Sequence, residues 1–468
     1  MHCVGARKHA IHRFSIAIIM PLSCCYSNEY ISLHRYLTSF WGACFLNIAI
    51  IGGGIAGLSA AHILGRKFDV TLFEAEKQLG GHANSVVVQE GADGEPFGVD
   101  TGFIVFNQHT YPHFSALLGY LGVQTVPTEM SFAFSEDGGR FEYSGSGLTG
   151  LFGQPSNLLR PRFWTFVKDI RRFMRTARED VRGPLSDVST MVDYLQARRY
   201  GDDFARRHLL PMMSAIWSTD VEDVLQMPAQ TVLGFFDNHG LLRLRDRPKW
   251  RTVAGGSRTY VDALSASTSV RFQVGVPVEA IRRDKDSVLV ATAQGAARFD
   301  HVIFACHADQ ALALLKNADD EERHCLADCR FQKNEVVLHR DARLMPKRRK
   351  IWSSWNFLSG SDVQDAKASV TYWMNRLHRL EAASDYFVTL NPLVRPAKHL
   401  IISEHQYDHP VLDVAALKAK RRLAELQGRG GVWYCGAWLG YGFHEDGVRS
   451  AVEVAARFGV EPPWVRSA

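Results

Sequence analysis

The run NIAIIGGGIAGLSAAHILGRKFDVTLFE, from Asn47 to Glu74, constrains the fold more than any other part of the chain. Asn47 to Ile51 is a short apolar, β-branched stretch suited to a buried parallel strand. Gly52, Gly54 and Gly57 follow at once in G-x-G-x-x-G spacing, and Leu58 to Leu64 continues as a helical pattern. A second strand, Asp69 to Phe73, ends at Glu74, 22 residues beyond Gly52. Each part has a mechanical reason. Gly52 allows the tight turn, Gly54 lets the backbone approach a pyrophosphate, and Gly57 brings the helix onto the strand. The helix N-terminus at Ile55 and Ala56 favours phosphate charge, and Glu74, followed by Ala75, can accept hydrogen bonds from a ribose diol. Strand, glycines, helix, strand and acid in one register predict a dinucleotide site.

A second match, GSGLTG from Gly145 to Gly150, lacks that context. Arg140 to Ser144 does not read as a buried strand, and Phe152 to Pro155 is not helical, so this stretch is expected to be a loop. One dinucleotide site argues against reductases that bind FAD and NADPH together.

Composition narrows the remaining classes. The 468 residues exceed one ordinary core, which favours two domains or one large domain with insertions. No run approaches the roughly 18 to 20 apolar residues of a membrane-spanning helix. Of the formal charge of +5, a net +3 falls in the first 46 residues, leaving no global basic field for nucleic acid. Four of the eight cysteines also lie there: Cys3, Cys24, Cys25 and Cys44. The others form no C-x-x-C, and His324, Cys325 and Cys329 lack a second ligand pair, so no metal site is expected. The body reads as reduced and cytoplasmic. Residues 1–46, with Arg7 and Lys8 before an apolar stretch, are expected to stand outside the fold, either as sequence upstream of the true start or as a targeting leader.

The segment GGHANS, Gly80 to Ser85, comes right after Glu74, and Asp100-Thr101-Gly102 follows it. Here the chain resembles the flavin-containing amine oxidase superfamily, and the resemblance runs over most of Asn47 to Gly459. It implies FAD, with Gly80, Gly81 and His82 beside the pyrophosphate and Thr101 and Gly102 close by. By the same resemblance Trp250 to Leu264 leads into the strand FQVGVPVEAI, where the backbone of Val278 meets the adenine. Ile303 to His307 would be the return strand and its turn. Gly436 would lie near the ribityl chain, and Gly447-Val448 would begin a last helix facing the flavin. Many relatives carry an acid directly after that glycine, where this chain has Ala437; Glu445 is a candidate replacement. His444-Glu445-Asp446-Gly447 is thus expected to close the cofactor site, with Asp446 capping the helix. A direct acid–base role for His444, a metal role for this corner and a covalent flavin link at Cys435 are the alternatives.

The implied fold is α/β: a Rossmann-type FAD-binding domain of glutathione-reductase-like βαβ units at 47–105, 250–310 and 425–460. An α+β substrate domain at 106–249 and 311–424 would be inserted in it, helices first and then a mixed sheet. Its strongest helix is PRFWTFVKDIRRFMRTARED, from Pro161 to Asp180. Phe163, Phe166, Val167, Ile170, Phe173, Met174 and Ala177 recur there at helical spacing, with Lys168, Arg171, Arg172 and Arg175 elsewhere. This stripe is expected to pack on the core, with contact at an anionic membrane surface as the alternative. Trp355 and Asn356, with Tyr372, Trp373 and Asn375, are pocket candidates, a core strand being the other reading.

A single FAD site without a redox cysteine pair implies hydride removal from a substrate C–H or C–N bond. GGHANSV, DTGFIVFN, LMPKRRKIWSSWN, TYWMN, VTLNP and GYGFHEDG resemble a bacterial branch of NAD/FAD-binding proteins associated with cyclopropane-fatty-acid-synthase-like enzymes. That implies a desaturase or dehydrogenase acting on a modified fatty acyl chain or phospholipid. The rivals are an oxidase of small amines, with Trp438 and Tyr441 as an aromatic cage, and a non-oxidative isomerase or FAD-binding scaffold. Peripheral contact with the inner membrane face suits the lipid reading. Oligomeric state is left open.

Overall fold

Strand β1 (Asn47–Ile51) turns Ile48 and Ile50 to one side and Ala49 and Ile51 to the other, and all four are buried. A strand buried on both faces needs a layer on each side, the usual situation of a parallel sheet. The computed structural model describes residues 46–91, 93–183, 189–360 and 369–467. Residues 1–45, nearly all of the expected leader, lie outside them.

Along the chain, helix α1 (Ile55–Leu64) leads from β1 to β2 (Asp69–Glu74). Helix α2 (Pro112–Tyr120) precedes a hairpin of β3 (Phe132–Glu136) and β4 (Phe141–Ser144). Helices α3 (Pro161–Asp180), α4 (Leu210–Trp217) and α5 (Ala229–Asn238) come next. Helix α6 (Arg258–Ala266) is followed by β5 (Arg271–Val274) and β6 (His301–Phe304). Strands β7 (Phe331–His339), β8 (Trp355–Ser359) and β9 (Ser369–Trp373) precede β10 (Phe387–Leu390) and β11 (Ile401–Pro410). Strand β12 (Val432–Tyr434) and helix α7 (His444–Arg457) come last.

Strands β5, β2, β1, β6 and β12 form one parallel sheet in that order. Ile48, Ile50, Leu72 and Ile303 meet Leu58 of α1 and Val448 and Ala451 of α7 on one face. Ala49, Ile51, Phe73 and Phe304 meet Leu423, Tyr434 and Trp438 on the other. A second sheet of seven strands runs β11-β7-β10-β9-β8-β3-β4 and is antiparallel except at β3 and β8. Helices α3, α4 and α5 share its core, through Phe166, Phe173, Met213 and Phe236.

Four local expectations are corrected. The strand FQVGVPVEAI is broken at Gly275, whose φ of +72° turns the chain. Its first half is β5, and Val278–Arg283 opens a separate antiparallel sheet. The mixed sheet does not follow the helices entirely, because β3 and β4 precede α3. Phe141–Ser144 is a buried strand and Gly147–Leu151 a single helical turn, not a loop. Aromatic packing of Phe141 and Tyr143 on Phe166 buries this edge, which local pattern does not reveal. The antiparallel pairing of β4 with β3 still keeps GSGLTG out of a βαβ unit. Finally, α7 starts at His444 and not near Val448.

Candidate active site

The C-terminal ends of β1, β2 and β6 and the loop after β12 open on one cavity of about 1780 Å³. Parallel sheets place their ligands outside these strand ends. Small-molecule pockets usually occupy roughly 300 to 1,000 Å³, so this one has room for a long ligand and a second molecule.

At one end the glycine loop makes a phosphate cradle. Gly52 takes a φ of +111° as the chain leaves β1, and a Cβ there would sit 2.9 Å from the carbonyl oxygen of Ala305. Gly54 precedes α1 as a cap residue without a side chain, and Ile55 and Ala56, in the helix's first turn, line the cavity. Glu74 at the end of β2 accepts the N–H of Gly53 at 2.6 Å and that of Glu76 at 2.8 Å. The carboxylate thus holds the loop from below and still lines the cavity, as does Ala75. The Gly80 N–H donates to the Gly53 carbonyl at 2.9 Å, which lays Gly80 and Gly81 against the cradle. Val278, Gly81, Thr101 and Gly102 continue the wall.

Histidines gather beside that cradle. The ring of His82 lies 6.0 Å from His307, 5.4 Å from His409 and 4.9 Å from Tyr407. Burial pushes all three imidazoles below their ordinary pKa, His409 down to about 4, and their mutual repulsion adds to this at His82 and His409. Nδ1 of His307 and Oδ1 of Asp408 are buried on this wall without a hydrogen-bond partner among the described residues. Only His82 of this group was expected from sequence; the others come from β11 and the turn after β6, far apart in the chain.

The closing loop is arranged differently from expectation. His444 lines the cavity, stacked on Phe103 with ring centroids 3.7 Å apart, and its Nε2 is 2.8 Å from the Tyr260 hydroxyl. Burial lowers its pKa to about 3, so it is neutral. Asp446 does cap the helix, accepting the N–H groups of Tyr441 and Phe443 at 3.0 Å each. Glu445 does not replace the missing ribityl contact: its carboxylate accepts the His113 and Phe114 N–H groups at the start of α2. Because α7 begins early, Gly447 completes its first turn and Val448 falls in the second, packed on α1 and outside the cavity lining. Gly436 lines the cavity, and its N–H donates to Ser450 Oγ at 2.9 Å. Cys435 is buried outside the lining, whereas Cys306 lines it with its thiol pushed up to about 12 by burial.

Beyond His444 the cavity widens between the second sheet and the helices. Trp355 of β8, Tyr372 of β9 and Tyr441 line this chamber, with Met174, Ile216 and Phe235 from the helices. Asn356, Trp373 and Asn375 do not. Side chains alternate along a strand, so the residues after Trp355 and Tyr372 point to the opposite face. There Asn356 bonds to the backbone of Ser353 and Thr371, and Trp373 donates to Asp385. Asn375 is tied to Ser384 and Tyr386 in the turn beyond β9. His208 and His239 are further lining residues without a sequence signal, each lowered to about 4 by burial. Trp438 and Tyr441 do not make one cage. Trp438 donates to the Cys306 carbonyl beneath the cradle, while Tyr441 packs on Phe235 in the chamber. Among the described residues no cluster suited to a metal ion occurs.

The family model for flavin containing amine oxidoreductases matches residues 55–326. No curated protein matches the chain. Among solved structures, a CLA-producing fatty acid isomerase from P. acnes superposes with a TM-score of 0.64 at 16% identity, covering 88% of this chain and 98% of that one. Cyclohexylamine oxidase from Brevibacterium oxydans IH-35A gives 0.62 at 17%, with the same coverage. A putrescine oxidase bound to putrescine gives 0.63 at 14%, again with 88% and 98% covered. At these identities the superpositions establish the fold. The residues present fit FAD: a Cβ on Gly54 would meet no atom within 4 Å, so the cradle is open where a pyrophosphate must approach, and Glu74 retains lone pairs for a ribose. The chain belongs to the flavin containing amine oxidoreductase family and is an FAD-dependent oxidoreductase.

Proposed function

We propose that the substrate is an amphipathic molecule with a long apolar acyl chain and an anionic head, and that the reaction removes a hydride from a C–H bond of that chain. The observation that carries this reading is the distribution of charge along the chamber. Its walls are mainly aliphatic and aromatic, with the imidazoles of His208 and His239, lowered in pKa by burial, among them, and the lining carboxylate Glu129 is exposed and ion-paired with Arg376. The cations Arg171 and Arg247 line the cavity together with Leu148, Trp164 and Leu244, all exposed, which marks its mouth. Among the described residues a protonated amine would meet no free carboxylate in the chamber itself, the unpartnered Oδ1 of Asp408 lying on the cradle wall, and would face arginines at the mouth, whereas a carboxylate or phosphate head suits them.

Bound FAD supplies the hydride acceptor. The protein's own part is to hold and dry the site. Segments 47–105, 250–310 and 425–460 would hold the cofactor, and 106–249 and 311–424 the substrate. Trp355, Tyr372, Phe235 and Ile216 exclude water from the acyl chain, and His444, fixed between Phe103 and Tyr260, presents a neutral imidazole at the junction of the two compartments. No side chain has to act as a nucleophile.

The test is anaerobic mixing of the FAD-loaded protein with fatty acids or phospholipids, and separately with polyamines, while flavin absorption is followed. Bleaching by acyl substrates alone is the expected result. Bleaching by amines alone would overturn it. A shifted double bond with the flavin oxidised at the end would move the assignment to an isomerase.

A further inference from the structure

Among the described residues, five of the eleven exposed large hydrophobic side chains gather at one place, the mouth of the cavity. Leu148, Trp164 and Leu244 line it, and Leu158 and Leu159 stand at the entry to α3, Leu159 with 86% of its surface exposed. The Trp164 indole donates to the Leu158 carbonyl at 3.0 Å, which ties the Leu158–Leu159 turn to the Trp164 face of α3 at this mouth. Apolar side chains concentrated in this way mark a contact surface.

The charge beside these side chains says what they contact. Lys168, Arg171 and Arg175 follow Trp164 at i+4, i+7 and i+11, so the four share one face of α3, and all four are exposed. Among the described residues none of the three cations has a carboxylate partner. Their neighbours do: Arg162 pairs with Asp203, Arg172 with Asp169 and Arg178 with Asp237. Asp169, the acid within this stretch, is buried and also accepts the Gly201 N–H, so it does not offset the cationic face. Arg245 and Arg247, with Asp246 between them, follow Leu244 and extend the field.

We propose that this face seats the protein on an anionic lipid bilayer, with Leu158, Leu159, Trp164 and Leu244 entering the headgroup region and Lys168, Arg171 and Arg175 on the lipid phosphates. Apolar insertion plus several unpaired cations is the chemistry of interfacial attachment. The cavity mouth would then open on the acyl region, and a substrate chain would enter the chamber without crossing water. That transfer, though not the docking, rests on the acyl-substrate reading above.

The experiment is co-sedimentation of the full-length, FAD-loaded chain with phosphatidylcholine vesicles, with and without phosphatidylglycerol. Binding to the anionic vesicles should exceed binding to the neutral ones by about a hundredfold, from three cations at the surface, and should fall with salt. Leu159→Glu and the double variant Lys168→Glu/Arg175→Glu, all outside the cavity lining, should each lose this binding while keeping their FAD. Quenching of tryptophan fluorescence by brominated lipid should disappear in Trp164→Phe. Equal binding to both vesicles, no binding, or variants that bind like wild type would overturn the proposal. If vesicles are ignored while detergent-dispersed acyl substrates still bleach the flavin, the docking falls and the substrate reading stands. Vesicle binding without bleaching by any acyl compound establishes the docking and removes the substrate reading.

Discussion

The carboxylate of Glu445, in the first turn of α7, receives the backbone N–H of Phe114 at 2.9 Å and that of His113 at 3.1 Å, and so caps α2 from 331 residues away. Burial raises its pKa to about 7, against the pull of these two hydrogen bonds and of Arg449. A folded-state value above the unfolded 4.5 means that the folded chain holds this proton more tightly. The group therefore favours folding below about pH 4.5, and that contribution is lost as pH rises toward 7. Glu445→Gln removes the titration, so its stability should decline less than that of wild type between pH 5 and pH 8, by up to about 3 kcal/mol. Urea unfolding at both pH values measures this. Parallel declines would show that Glu445 is not the group responsible.

Two glycines of one motif should fail in different ways. A Cβ at Gly54 meets no protein atom within 4 Å, so Gly54→Val should fold, with a native circular dichroism spectrum, but remain colourless. A Cβ at Gly57 would sit 1.9 Å from the Gly52 carbonyl, so Gly57→Val cannot keep α1 on β1 and should not yield soluble, folded protein. A yellow Gly54→Val protein would remove the pyrophosphate from this cradle.

Glu74 both holds the Gly53 N–H and faces the cavity. Glu74→Ala should weaken FAD binding by about 1 to 3 kcal/mol, the scale of a lost charged hydrogen bond. Fluorescence titration of the flavin-free protein with FAD measures this. Unchanged affinity would mean that the carboxylate supports only its own loop.

What was readable in the sequence follows from the range of the interactions involved. The β1–α1–β2 unit was plain because its strand, turn, helix and acid are all local, and each residue's role depends on neighbours a few positions away. The stripe on α3 was plain for the same reason. The capping role of Asp446 was also legible, but not the helix start at His444, since nothing local separates a loop from a first turn there. Glu445 was misjudged because its partners, His113 and Phe114, are distant in sequence. Residue type suggests a pocket for Asn356 and Trp373 as readily as a core strand, whereas strand alternation sends them to the other face while Trp355 and Tyr372 line the chamber. The cluster of His82, His307 and His409 has no local signature; it exists because β11 and the turn after β6 each bring a histidine to the loop after β2 that carries His82.

The cavity mouth makes a separate, kinetic prediction. Arg171 and Arg247 line the opening of a chamber whose walls are mainly apolar and whose other charged pair, Glu129 and Arg376, is internally matched, and their role on the proposed substrate is to hold its charged head while the acyl chain lies inward. An interaction of that kind is the same before and during hydride removal, so its loss should appear in KM and not in kcat. Arg247 is the better probe, because it is not among the three cations placed on the lipid phosphates, and its guanidinium is held by a hydrogen bond from Nε to the Arg243 carbonyl at 2.6 Å. Arg247→Met keeps the length and removes the charge. With a fatty acid as substrate its KM should rise by about tenfold, or roughly 1.4 kcal/mol, with kcat unchanged. With the corresponding alcohol, which has no charge to recognise, wild type and variant should coincide. Equal losses on both substrates would show that Arg247 shapes the opening and does not read the head.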